Sequence, residues 1–102
     1  ADPTAGGSTW VEKAGDYTAT AGDKLIVDTG TAVTITLPAS ATLADEIKII
    51  DGTGQAATNT LTVDPNGLKI AGSSTDLTIT DDRAAITLVY YNVAQGWVLA
   101  EN

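Results

Sequence analysis

The chain reads as a single all-β domain of the sandwich or barrel kind. Three observations carry this. Threonine recurs between aliphatic residues, the placement favoured by β-branched side chains on a pleated surface. Short apolar-alternating runs are separated by Gly, Asp, Asn and Pro clusters at spacings of about 8 to 12 residues. No segment longer than one turn carries helical periodicity. With 102 residues, the chain matches one domain, with an expected radius of gyration of about 13 Å.

Residues 1–9 are small, polar and Gly-rich, and read as a flexible arm ahead of a domain over 10–102. The arm has neither the basic stretch nor the apolar segment of a signal peptide. It begins without Met, as a trimmed chain would. Strands are expected over Trp10–Lys13, Asp16–Thr20 and Lys24–Asp28. Val33–Leu37 alternates strictly, with Val33, Ile35 and Leu37 on one face and Thr34 and Thr36 on the other. Pro38 ends it, having no N–H for a ladder. In Ala39–Asp45 a helical turn could start at Ser40. Further strands are expected at Glu46–Asp51, Thr60–Asp64, Leu68–Ile70, Asp76–Thr80, Ala85–Tyr91 and Gly96–Ala100. Asp64-Pro65-Asn66-Gly67 suits a type I turn with Pro at its second position. No convincing internal repeat is visible. Ala85–Tyr91 is apolar on both faces, so it is either enclosed in the core or covered by a neighbouring chain.

Composition excludes several chemistries. There is no Cys and no His, hence no thiol nucleophile, no disulfide and no Ser-His-Asp or Cys-His enzyme. Thirteen acidic residues against five basic ones give a net charge of −8. That is the reverse of a nucleic-acid footprint, and it disfavours anionic membranes. No apolar run approaches the roughly 20 residues of a membrane-spanning helix.

Three segments carry potential chemistry. Asp28-Thr29-Gly30 after Leu25-Ile26-Val27 resembles the motif of aspartic proteases, whose paired Asp residues share a proton. That family usually has Ala or Ser where Thr31 stands, and no Gly-rich flap follows. A turn between strands is the plainer reading, and a dimeric protease is a remote alternative. Gly52-Thr53-Gly54-Gln55-Ala56-Ala57 matches Gly-x-Gly-x-x-Ala, yet a strand-like run follows where a dinucleotide site needs a helix. Asp81-Asp82, and Asp64 with Asn66, offer oxygen ligands for calcium without EF-hand spacing, and read as solvated turns. No cofactor or metal is expected. Among the aromatics, Trp97 is expected in the core, while Tyr90 and Tyr91 must point to opposite faces.

An ordered series of segments resembles a β-rich module of tailed-bacteriophage virion proteins. It runs through Tyr17–Asp28, Val33–Ser40, Ile47–Asp51, Ala57–Val63 and Ala85–Tyr91 with Gly96-Trp97. The resemblance covers most of residues 17–100. It implies an antiparallel β-sandwich or jelly roll that assembles as a homotrimer, with no catalytic residues to transfer. The function it implies is a decoration (cement) protein on the capsid exterior, made in the host cytoplasm and partnered by itself and the major capsid protein. A tail-fibre or appendage module that binds host surfaces is the alternative. Trp10, Tyr90 and Tyr91 are the expected contact or near-contact residues.

Overall fold

A computed structural model describes residues 9–101. The expected arm lies almost wholly outside the described residues. Among the described residues nine strands form: β1 (Trp10–Lys13), β2 (Tyr17–Thr18), β3 (Lys24–Val27), β4 (Val33–Thr36), β5 (Glu46–Asp51), β6 (Leu61–Asp64), β7 (Leu77–Ile79), β8 (Ala85–Asn92) and β9 (Gly96–Glu101). They build two sheets, one ordered β1-β3-β5-β8-β9 and the other β2-β4-β6-β7. We call these the five-stranded and four-stranded sheets. The alternating sequence sets the layers. Leu25, Val27, Ile47, Ile49 and Leu88 of the first sheet are buried, as are Val33, Ile35, Leu61 and Val63 of the second. These residues and Trp97 belong to one continuous core.

The expectation of antiparallel sheets requires correction, because both sheets are mixed. β1, β3 and β5 run parallel, as do β2, β4 and β6. Only β7, β8 and β9 add antiparallel pairings. The chain passes from one sheet to the other at every step from β1 to β6. Each strand therefore returns to its own sheet two elements later and in the same direction. Parallel neighbours need a long crossover, and here a strand of the other sheet supplies it. The windings are unequal: partner residues advance from Trp10 to Lys24 to Lys48 in one sheet, and from Val33 to Leu61 in the other. Unequal windings leave no period in the sequence.

Smaller expectations also change. Leu68–Ile70 forms no strand; Ile70 alone bridges to Ser73 and Trp97. No helical turn forms at Ser40. Instead the Asp45 carboxylate accepts from the Thr42 N–H and hydroxyl, closing a turn before β5. The turn at Pro65 is shifted by one residue. Asn66 and Gly67 have φ of 55° and 87°, and the Leu68 N–H bonds to the Pro65 carbonyl. Two central residues with positive φ characterise the Asn-Gly type I′ turn. Gly96 is fixed by close approach: its φ is 69°, and a Cβ there would lie 2.0 Å from the Lys69 carbonyl oxygen. The radius of gyration is 12.8 Å.

Candidate functional site

The Asp-Thr-Gly and Gly-x-Gly-x-x-Ala segments meet around a residue that neither motif includes. Asp51 ends β5 in phase with inward-facing Ile47 and Ile49, so the strand's alternation carries its carboxylate indoors. Asp51 is only 4% exposed. Four donors surround it. Oδ1 accepts from the Thr29 hydroxyl at 2.6 Å and the Gly54 N–H at 2.9 Å. Oδ2 accepts from the Arg83 N–H at 3.0 Å and the Ala56 N–H at 3.1 Å. These donors come from three separate loops: after β3, after β5 and before β8.

Further hydrogen bonds tie the same loops to one another. The Thr29 hydroxyl also accepts from the Gln55 N–H and lies 2.8 Å from the Thr53 hydroxyl, which accepts from the Thr29 N–H. Asn59 Nδ2 donates to the Thr29 carbonyl, and the Ala57 N–H donates to Asp82 Oδ1. Burial alone would raise the Asp51 pKa. The bonds from Thr29 and from the Arg83, Ala56 and Gly54 N–H groups outweigh it and hold the pKa down, at about 2. The group is thus a saturated carboxylate. Its oxygens are engaged in fixing loops, which unsuits it to abstract a proton or attack a carbonyl.

The remaining candidates fall in separate places. Asp28 is half-buried and its Oδ1 accepts from the Gly30 N–H, the local bond of an Asx turn. The residues after Gly52-Thr53-Gly54 close a single turn, with Thr58 and Asn59 N–H both bonding the Gln55 carbonyl, and no helix follows. The dinucleotide geometry is therefore not formed. Asp64 Oδ1 accepts from the Asn66 N–H, and no group of three metal-ligating side chains occurs among the described residues. Trp10 and Tyr91 are 40% and 54% exposed. Tyr90 lies inside, edge-on to Trp97 at 5.5 Å between ring centroids. Trp97 is buried, as expected, and its Nε1 has no hydrogen-bond partner.

Sequence reasoning missed Asp51 and the burial of Thr29. The signal for Asp51 was available as an acidic residue in phase with two inward isoleucines. Thr29 had no such signal, because it lies in a loop. A groove of about 300 Å³ opens between β7 and the β8–β9 pair, lined by Leu77, Ile79, Ala84, Ile86 and Leu99 among others. No protein-family model matches the chain, and no curated protein matches it.

Proposed function

We propose that the chain is a structural protein of a tailed-phage virion: a homotrimeric decoration protein that bridges major capsid subunits on the outside of the head. Support comes from the ordered series of segments over residues 17–100, set in a two-sheet β domain. The observation that carries the reading is the division of labour within that domain. Its buried carboxylate is committed to clamping three loops, while Trp10 and Tyr91 stand exposed on the five-stranded sheet. Such a domain is built to be stiff and to be covered. Stabilisation of the head would then follow from binding linkage, set by affinity and concentration.

The tail-fibre alternative needs a surface for host glycans, and exposed aromatics are its usual platform. Trp10 and Tyr91 lie three strands apart and about four residues out of register. At about 4.8 Å per strand and 3.3 Å per residue they are separated by roughly 19 Å, too far to sandwich one sugar ring. The two readings separate in one experiment. Purified protein is mixed with heads lacking their decoration, and in parallel with host cells, and the bound fraction is measured by sedimentation. Saturable binding to heads with none to cells is expected. Binding to cells and not to heads would overturn the decoration reading in favour of the fibre module.

A further inference from the structure

We infer that the outer face of the five-stranded sheet is where copies of this chain meet each other. This rests on the reading of the protein as an assembly module, and it specifies the surface and the occupant. The register defines the face. Trp10, Lys24, Lys48 and Thr87 form one row across the sheet; Glu12, Ile26, Ile50 and Ala85 form the next; Glu46, Val89 and Val98 form a third. Beyond the third row stands Tyr91. Ile26, Ile50, Val89 and Val98 on these rows are half-buried.

The contrast with the other sheet is sharp. The outward positions of the four-stranded sheet are Thr18, Thr34, Thr36, Thr62, Asp64 and Thr78, a solvated face. Among the described residues, the exposed large hydrophobics are Trp10, Val11, Leu43, Tyr91, Val93 and Leu99. Of these, Trp10 and Tyr91 stand on this outer face, whereas Val11 and Leu99 pair with the buried Leu25 and Leu88 and so point to the other side of the sheet, Leu99 into the groove beside β7. Two exposed aromatics flanking a band of half-buried Ile and Val make this the more apolar of the two outer faces, the kind of surface that marks an interaction site.

Charge selects a second copy as the occupant. The face carries Lys24 and Lys48 in one row and Glu12 and Glu46 in the flanking rows. The lysines are engaged locally: Lys24 lies 6.0 Å from the Trp10 ring centroid, and Lys48 Nζ lies 3.8 Å from Glu46. The face is thus near neutrality in a chain of net charge −8. Two such chains repel on most approaches, and this face brings them together with least repulsion. Its lysine row and glutamate rows are also self-complementary, so a closed two- or three-fold arrangement can set Lys against Glu. Five strands of about six residues present roughly 500 Å² per copy, near the threshold of about 1,000 Å² in total for a specific contact.

The test is sedimentation velocity across a dilution series, with Val89→Glu and the gentler Tyr91→Ser on the face, and Thr62→Glu on the opposite sheet as control. Circular dichroism confirms that each variant is folded. Wild type is expected to self-associate, more strongly at 500 mM than at 50 mM salt, because screening relieves the repulsion of like-charged chains. Both face variants should weaken association about tenfold or more, the signature of an interfacial anchor, and Thr62→Glu should not. Acrylamide access to Trp10 should fall on association, with buried Trp97 as the unchanging reference. A wild type that stays monomeric at every concentration and salt would overturn the inference, even if it bound phage heads through this face. So would an assembly that ignores Tyr91→Ser and Val89→Glu. A dimer sensitive to both variants would uphold the face as a self-contact while removing the trimer from the proposed function. The inference and the function it rests on therefore fail separately.

Discussion

Asp51→Asn removes one charge from the centre of the loop clamp and changes almost no volume. The amide has two orientations. With its nitrogen at the Oδ2 position, the Ala56 and Arg83 N–H groups both face a donor. With its nitrogen at Oδ1, the Thr29 hydroxyl can accept from it and turn its proton toward Thr53 Oγ1, leaving only the Gly54 N–H without an acceptor. The second arrangement costs less. One orphaned buried donor costs about 1–3 kcal/mol, and the surviving bonds lose their charge assistance, so the total is about 3 kcal/mol. Urea unfolding at pH 7 reads this directly. With a slope of about 1 kcal/mol/M, the midpoint should fall by roughly 2–3 M with the slope unchanged.

The pH dependence adds a second readout. The Asp51 pKa is lowered on folding, from 3.8 to about 2. A depressed carboxylate contributes stability that is present above its unfolded pKa and is lost as pH falls through its folded one. Wild type should therefore lose about 2 kcal/mol relative to Asp51→Asn between pH 5 and pH 2, and the two should converge in acid. A midpoint change below about 0.5 M at pH 7 would refute the clamp. So would a gap between the two proteins that stays the same from pH 7 down to pH 2.

Three further substitutions test other parts of the structure. Gly96→Ala would place a Cβ against the Lys69 carbonyl at a φ of 69°; a loss of about 3 kcal/mol or more is expected in thermal unfolding. Asp28→Asn keeps an acceptor for the Gly30 N–H, so stability should change by less than about 0.5 kcal/mol, and the variant should assemble as wild type does; a large loss would reveal a role for the Asp28 charge. Trp97→Phe removes the unpartnered Nε1 and keeps a ring against Tyr90, so it should cost about 1–2 kcal/mol, below the roughly 3–5 kcal/mol usual for truncating a buried Trp to Ala.

The strands were legible in the sequence because they are amphipathic on a period of two. Val33–Thr36 and Glu46–Asp51 stand within one residue of where alternation and punctuation put them. Their pairing was not legible. A loop of a few residues can return a strand beside its predecessor or carry it across to the facing sheet, and the same turn residues serve both. The parallel windings escaped detection because no two coils have the same length. At the candidate site, both flagged motifs do converge, and the residue that joins them was hidden for a physical reason: Asp51 looks like the polar end of a strand until three loops are folded over it. The two-sided apolar character of Ala85–Tyr91 was visible from the start. Folding encloses Ile86, Leu88 and Tyr90, and leaves Val89 and Tyr91 on the outside of the chain.

The most direct measurement for the proposed function is the temperature at which phage heads rupture and release DNA, with and without saturating protein. A decoration protein that bridges capsid subunits binds the intact lattice and not its separated parts, so it must raise that temperature, and by more as its concentration rises above the dissociation constant. The account predicts such a concentration-dependent rise, weakened by Tyr91→Ser and unaffected by Thr62→Glu. Heads that bind the protein and rupture at the same temperature as bare heads would contradict it.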